Sequence, residues 1–120
     1  MTTSLTTAAL DSTLVALADP SRRGAIDLLR RKPRRAGELA DELGLTAPAM
    51  SRHLRVLRTC GLVERAFDAD DARATVYRLR PEKLMQLRHW LDEIERFWSL
   101  QLDGFARHVE ATRGKPRGSR

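Results

Sequence analysis

The sequence predicts a mainly α-helical domain with one small β-hairpin, in the order helix-helix-helix-helix-strand-strand-helix. Apolar residues recur at helical spacing through most of the chain. Two short helical segments surround a glycine, and two strand-like segments flank a polar turn. At 120 residues the chain is long enough to bury one modest core. We therefore expect a single domain over residues 8–112.

Two helices are predicted at the start, over residues 8–18 and 20–32. The first carries three leucines on one face: Leu10, Leu14 and Leu17. Asp19 followed by Pro20 is typical of an N-cap with proline at the first helical position. Pro33 has no backbone donor and is expected to end the second helix.

The next two helices are predicted to form a helix-turn-helix over residues 36–60. Gly44 suits the left-handed backbone that ends the first helix of the pair, over residues 36–43. Thr46 can cap the second helix, and Pro48 falls in its first turn.

A hairpin and a long helix complete the predicted fold. Residues 62–80 form the hairpin around a polar turn at residues 68–73. The two strands of the hairpin are predicted over residues 62–67 and 74–80. Pro81 then begins a helix predicted over residues 81–112. The tail, residues 113–120, carries 4 basic side chains and no acidic one, and is expected to be disordered.

The second helix of the pair has an apolar face and a basic face. At about 100° per residue, Met50, Leu54 and Leu57 fall together and define the buried face. The opposite face carries Pro48, Ser51, Arg52, Arg55, Arg58 and Thr59. Guanidinium groups in this position can bind guanine edges or phosphates. The alternative is an ordinary solvated helix with basic side chains.

Positive charge is concentrated in the N-terminal half. The formal net charge is +6, and residues 1–60 carry 10 basic and 6 acidic side chains, a net of +4. Residues 81–112 carry 4 basic and 6 acidic side chains, a net of −2. This asymmetry suggests a polyanionic partner, although solvated surfaces are often rich in Lys and Arg.

Three segments resemble the ArsR-type winged-helix repressors: LADPSRRGAIDLL at 17–29, GELADELGLTAPAMSRHLRVLRTCGLVER at 37–65 and VYRL at 76–79. The resemblance implies a winged helix-turn-helix that dimerises through its first and last helices. It also implies that residues 47–60 enter the major groove of double-stranded DNA while the hairpin acts as a wing along the backbone. The recognition positions that it implies are Thr46, Ala47, Pro48, Ser51, Arg52 and His53.

Further arginines lie before and beside this helix. Arg34 and Arg35 precede the short helix, whose N-terminus commonly faces a phosphate in this motif, so both are candidate DNA contacts. The alternative is a solvated loop. Arg22 and Arg23 carry the family's pattern, with a structural ion pair as the alternative to DNA contact. His53 lies between the buried and exposed faces, where a structural hydrogen bond is the simplest role.

The chain departs from the family at the recognition helix and the wing. Ala47 stands where the family commonly has glutamine, which removes one candidate contact. The wing tip is acidic for a segment beside phosphates, with Asp68, Asp70 and Asp71. Arg65, Arg73 and Arg78 can offset this charge, and Arg73 is the candidate DNA contact among them.

The positions that ligate metal in related sensors hold residues that cannot do so. A Cys-x-Cys site would fall at Arg35 and Gly37, and the second known site would fall at Pro81, Lys83, Ile94 and Phe97. We therefore expect no metal and no other cofactor, and the effector ligand is left unknown. The single cysteine, Cys60, excludes an intrachain disulfide and is more simply a small buried apolar residue than a redox switch.

The last predicted helix carries more apolar surface than a small domain can cover. A helix of about 32 residues spans roughly 48 Å, and a second copy of the chain is the simplest cover for its stripe. The expected dimer interface comprises Leu10, Leu14, Leu17, Leu91, Ile94, Trp98, Leu102, Phe105 and Val109. The alternative is a small-molecule pocket lined by Trp90, Phe97 and Trp98.

These observations predict a sequence-specific transcriptional regulator, and more narrowly a repressor that binds an inverted repeat as a homodimer. The alternatives are an architectural protein that coats DNA without sequence preference and a winged helix that binds only proteins. No acid-base or nucleophile constellation suggests an enzyme. No apolar run is long enough for a membrane span and the first residues do not resemble a signal peptide, so a cytoplasmic location is expected.

Overall fold

The computed structural model describes residues 7–114, and side-chain exposure is described for residues 7–112. Over this range the chain forms five helices and a two-stranded antiparallel sheet. In chain order these are α1 (Thr7–Leu17), α2 (Pro20–Leu29), α3 (Ala36–Leu43), α4 (Ala47–Thr59), β1 (Val63–Phe67), β2 (Thr75–Leu79) and α5 (Glu82–Gly114). The predicted order of elements and the predicted winged helix-turn-helix are confirmed.

The end of α2 differs from the prediction. The helix stops at Leu29 instead of residue 32, and Arg30 closes it with its N–H directed at the carbonyls of Ile26 and Leu28. Four residues further on, Arg34 forms an antiparallel bridge with Tyr77 of β2. A bridge needs extended backbone, so the chain must leave the helix early to reach the hairpin.

The start and end of α5 also differ from the predicted range 81–112. The helix begins at Glu82 and continues to Gly114, so residues 113 and 114 of the predicted tail are helical. Residues 115–120, the rest of that tail, lie outside the described part of the chain.

The core lies among α1 to α4 and the start of the hairpin. Met50, Leu54 and Leu57 are buried, which confirms the predicted inner face of α4. The large side chains that are almost completely buried are Leu39, Met50, Leu54, Leu57, Leu62, Val63 and Thr13. This packing fixes one side of α4 and leaves its other side to solvent.

The hairpin is bonded to the α2–α3 linker. Its register pairs Val63 with Leu79 and Phe67 with Thr75. The Arg34 N–H donates to the Tyr77 carbonyl at 3.0 Å, and the Tyr77 N–H donates back to the Arg34 carbonyl at 2.7 Å. The wing is therefore held at the N-terminal side of α3 by backbone hydrogen bonds.

The chain divides into two compact units, one ending at Leu87 and the other beginning at Arg88. The first unit holds α1 to α4, the hairpin and the start of α5, and the second holds the rest of α5. None of the helices within residues 7–114 has the length and hydropathy to cross a membrane.

Candidate nucleic-acid interface

The turn between α3 and α4 has the geometry that its sequence predicts. Gly44 adopts the left-handed conformation, with φ 67° and ψ 35°, which a residue with a side chain rarely adopts. The Leu45 N–H then donates to the Ala40 carbonyl at 2.9 Å and closes the end of α3. The Thr46 hydroxyl accepts from the Ala49 N–H at 3.2 Å and starts α4. These contacts set the direction in which α4 leaves the turn.

The candidate recognition residues share one solvent-exposed surface. Seven of them are exposed: Thr46, Ala47, Pro48, Ser51, Arg52, Arg55 and Arg58. Three guanidinium groups and one hydroxyl on one helix face can donate hydrogen bonds to phosphates or base edges. His53, by contrast, is half-buried.

Arg55 and Arg58 line a cleft between α4 and the hairpin. Its volume is about 640 Å³, and its walls are Arg55, Arg58, Thr59, Val63, Glu64, Arg65 and Arg80. Glu64 pairs with Arg78 and also lies 3.8 Å from Arg80. The acid of the cleft is therefore already paired, which leaves an excess of positive charge suited to an anion.

Sequence reasoning missed Arg80 as a member of this basic surface. Arg80 follows β2 directly, and its N–H donates to the Leu62 carbonyl at 2.9 Å. That bond brings the end of the hairpin beside its start. No local pattern signals this closure, because it depends on the hairpin register.

His53 contacts an arginine from α2. The Arg22 Nη1 lies 3.3 Å from the His53 Nδ1, and the Arg22 Nε donates to the Ala16 carbonyl at 2.7 Å. Arg23 donates to the Leu17 carbonyl at 2.9 Å. Both arginines bind carbonyl oxygens at the end of α1, which is a structural role, and neither forms an ion pair within 4 Å among the described residues.

Asp19 caps α2 beside this cluster. Its carboxylate accepts from the Ser21 N–H at 2.8 Å and from the Arg22 N–H at 3.1 Å. The Arg22 backbone bond is the main cause that lowers the pKa of Asp19 below its ordinary value of 3.8. The predicted N-cap is thus an ionised cap.

Arg34 and Arg35 lie before α3 as predicted, but both already have partners. Arg34 is half-buried, and its Nε donates to the Leu28 carbonyl at 3.4 Å. The Arg35 guanidinium binds the Asp68 carboxylate through two bonds of 3.0 and 2.7 Å. Both bonds are donated to the same carboxylate oxygen, Oδ2, and they raise the pKa of Arg35. A phosphate at this position would have to share or displace Asp68.

The acidic wing tip is built into its own turn. The Asp68 carboxylate accepts from the Asp70 N–H at 2.9 Å, and Asp71 accepts from the Arg73 N–H at 3.0 Å. The Asp70 bond, followed by the Arg35 bond, lowers the pKa of Asp68. Arg73 is exposed, so its guanidinium can reach an anion. Arg78 pairs with Glu64 instead of offsetting the tip, which corrects the expectation for it.

The expected dimer surface is largely uncovered in the single chain. Six of its residues are exposed: Leu14, Leu91, Ile94, Trp98, Leu102 and Phe105. Leu10, Leu17 and Val109 are half-buried, and Leu17 packs against the core. The residues of α1 that are fully buried are Thr13 and Ala16, which the leucine pattern did not single out.

The described residues hold no cluster of three or more His, Cys, Asp or Glu side chains suited to a metal ion. Cys60 is half-buried at the end of α4, and its Sγ lies 3.4 Å from the Ser12 carbonyl. The thiol therefore packs against α1.

Residues 19–65 match the family described as bacterial regulatory protein, arsR family. The HTH-type transcriptional regulator Rv2034 of Mycobacterium tuberculosis is 38% identical over 96 residues, which are 80% of this chain and 84% of that protein. The transcriptional repressor SdpR of Bacillus subtilis is 26% identical over 82 residues, which are 68% of this chain and 88% of that protein. The solved structure of an ArsR-like transcriptional regulator from Rhodococcus sp. RHA1 has a TM-score of 0.73 at 30% identity, over 87% of this chain and 93% of that one.

The matched residues run from the cap of α2 through the helix-turn-helix into β1, and the structural match extends over most of the chain. These relatives are regulators of transcription, a class of protein that is not enzymatic. The chain belongs to the ArsR family of winged helix-turn-helix, DNA-binding transcriptional regulators.

Proposed function

We propose that this regulator is a sequence-specific repressor that binds an inverted-repeat operator as a homodimer. The observation that carries the proposal is the exposed face of α4. This face carries the hydroxyl group of Ser51 and the guanidinium groups of Arg52 and Arg55. The opposite face of the helix is buried and fixes its position. Arginine in such a position can make a bidentate contact to guanine, and serine can donate to a base or a phosphate. The repressor role is also supported by the relative named as a repressor.

The homodimer is supported by the apolar residues that the single chain leaves exposed. Trp98 is 58% exposed, Leu102 is 59% exposed and Phe105 is 66% exposed, at helical spacing on α5. Burying an apolar side chain of this size contributes about 1.5–3 kcal/mol. A second copy can cover the stripe with an identical stripe, as in a two-fold interface. Two copies of α4 then meet two half-sites, which is why the operator is proposed to be an inverted repeat.

The division of roles follows from these surfaces. Residues 8–112 are proposed to act together as one DNA-binding and dimerisation domain. The wing residue Arg73 and the linker residues Arg34 and Arg35 are proposed to lie near the phosphate backbone of the DNA. The basic residues 113–120 are proposed to add diffuse attraction for phosphates. The effector is unassigned, and the proposed place of action is the cytoplasm, where a bacterial regulator meets its DNA.

The test is selection of bound duplexes from a random-sequence pool with the full chain, followed by affinity measurements on selected and scrambled duplexes. A sequence-specific regulator should enrich an inverted repeat and bind it about 10³-fold or more tightly than the scrambled duplex. Enrichment of no sequence, with equal affinity for all duplexes, would assign the protein to the architectural class.

Two variants test whether the exposed face of α4 determines sequence specificity. Arg52→Ala should weaken the selected duplex more than the scrambled one, because a bidentate base contact contributes about 1–3 kcal/mol of discrimination. Arg88→Ala removes the same charge from α5, where the side chain is 84% exposed and lies 3.9 Å from Asp92. It should leave the ratio of the two affinities unchanged.

A further inference from the structure

Arg22 connects three helices through one side chain. It belongs to the first turn of α2, and its Nη2 donates to the Val15 carbonyl at 3.0 Å beside the bond from Nε to Ala16. The last carbonyls of a helix have no partner within that helix, so these two bonds satisfy the end of α1. The third bond of the guanidinium reaches His53 in α4.

The contact with Arg22 determines which nitrogen of His53 carries the proton. A guanidinium has hydrogen-bond donors only, so the 3.3 Å contact requires that His53 Nδ1 accept. In a neutral imidazole the proton must then lie on Nε2. Among residues 7–112 no hydrogen-bond partner contacts that Nε2, although the ring is half-buried. His53 therefore presents one directed N–H donor that no described residue accepts.

The position of His53 on α4 indicates what that donor meets. His53 lies between exposed Arg52 and buried Leu54, on the flank of the proposed recognition helix. Side chains on the flank of a helix in the major groove approach the DNA backbone, and most protein–DNA hydrogen bonds go to phosphate and sugar oxygens.

We propose that Arg22 is a positioning residue for DNA binding, which holds His53 so that its Nε2–H donates to a phosphate oxygen of the DNA backbone. This inference rests on the proposed binding of DNA by α4. The same guanidinium binds the end of α1, so the direction of the donor is tied to that helix as well.

Two substitutions of His53 separate the two ring nitrogens. Asn places a side-chain amide near the position of Nδ1, so His53→Asn keeps a partner for Arg22 and removes the distal donor. Gln reaches the position of Nε2, so His53→Gln keeps a distal N–H donor. On a random-sequence duplex of about 30 base pairs at low salt, we expect His53→Gln to bind within about threefold of the unchanged protein, because a side-chain amide always carries its N–H donor and needs no partner at the Nδ1 position to fix a tautomer. We expect His53→Asn to bind about tenfold more weakly, the effect of one lost hydrogen bond.

A double-mutant cycle tests whether Arg22 acts through His53. Arg22→Lys keeps the charge but loses the branched set of donors. It should weaken duplex binding about tenfold in the unchanged protein and less than about twofold when His53→Asn is already present. Arg23→Lys is the matched control, because Arg23 is the next residue and, among the described residues, its side chain hydrogen-bonds to the Leu17 carbonyl alone. It should leave duplex binding unchanged.

A spectroscopic measurement on the free protein reads the positioning directly. In ¹H–¹⁵N correlation spectra at about pH 8, where imidazole is neutral, His53 should show Nδ1 as a hydrogen-bonded acceptor and Nε2 as the protonated nitrogen. Arg22→Lys should shift the Nδ1 resonance of His53, while His89 and His108 on α5 serve as internal references. Circular dichroism checks that each variant is folded.

The outcomes separate this inference from the proposed function. Equal losses from Arg22→Lys with and without His53→Asn would show that Arg22 only caps α1 and would overturn the inference. Equal binding by His53→Asn and His53→Gln would overturn it without any change at Arg22. A folded protein that binds no duplex at all would instead overturn the proposed function.

Discussion

Thr13 is a polar residue in an apolar place. It lies in α1, is completely buried, and its hydroxyl has no hydrogen-bond partner among the described residues. A buried hydroxyl that loses its hydration without a replacement bond costs about 1–3 kcal/mol. The residue therefore fills core volume at the expense of an unsatisfied donor and acceptor.

Replacing Thr13 with Val should make the fold more stable. Valine has nearly the same shape and removes the unsatisfied hydroxyl, so the free energy of unfolding should rise by about 1 kcal/mol. Urea denaturation at a fixed protein concentration measures the change, since the stability of the proposed dimer would depend on protein concentration.

Thr13→Ser is the matched control for this change. It keeps the hydroxyl and removes a methyl group, so it should lower the free energy of unfolding by about 1 kcal/mol. A less stable Thr13→Val protein would mean that the hydroxyl is satisfied after all.

The wing is attached to the helix-turn-helix by backbone and side-chain bonds at the same place. Arg34 bridges Tyr77 through the backbone, and Arg35 binds Asp68 through its side chain. Short-range patterns predict the hairpin and its turn, because the alternation and the turn residues are local. They do not predict these attachments, because the partners are 33 or more residues apart in sequence. Local patterns also did not predict the contact between Arg22 and His53, which are 31 residues apart in sequence.

The titration of Asp68 should report this attachment. The Asp70 N–H and the Arg35 guanidinium both favour the carboxylate, so the pKa of Asp68 lies below 3.8. A lowered pKa means that the contribution of Asp68 to stability is present above about pH 4 and is lost as the pH falls through the native value. Carboxyl ¹³C chemical shifts followed against pH measure this directly.

Replacing Arg35 with Gln separates the two causes of the lowered Asp68 pKa, the Asp70 N–H and the Arg35 guanidinium. The Asp68 pKa should rise but stay below 3.8, because the Asp70 N–H is the larger cause and is retained. Arg34→Gln retains the Arg35 guanidinium and should leave the Asp68 titration where it is. An Asp68 pKa that does not change in Arg35→Gln would contradict the ion pair between the wing and α3.

At the scale of the whole molecule, sequence patterns predicted the helix-turn-helix well. They predicted less well which apolar residues are buried in the core and which remain exposed. Met50, Leu54 and Leu57 follow a regular period, and their burial is a local consequence of it. In α1, however, Thr13 and Ala16 are buried while Leu14 is 42% exposed. Small side chains there face the core and a larger one remains outside, which single-helix periodicity does not distinguish. In the proposed homodimer, a second chain would cover this exposed leucine face.

Metal ions should not release the protein from bound DNA. The family's two ligand sets require thiolate, imidazole or carboxylate groups, and Arg35, Gly37, Pro81 and Lys83 supply none of these. Zinc, cadmium or arsenite at concentrations well above those that saturate a sensor should leave fluorescence anisotropy of a bound duplex unchanged. Release by one metal ion per dimer would show a ligand set at other positions.

Dimerisation should depend on one face of α5. Trp98 lies on the stripe that also carries Ile94, Leu102 and Phe105, whereas Leu100 lies about 200° further around the helix from Trp98. Both Trp98 and Leu100 are exposed in the single chain, at 58% and 64%. Trp98→Glu places a charge in the proposed apolar interface, where burial of an unpaired charge costs several kcal/mol. It should shift sedimentation velocity from dimer to monomer and weaken an inverted repeat far more than a single half-site. Leu100→Glu introduces the same charge on the other face and should leave the dimer intact. If Trp98→Glu remains a dimer while Leu100→Glu dissociates, the chains pair through the opposite face of α5.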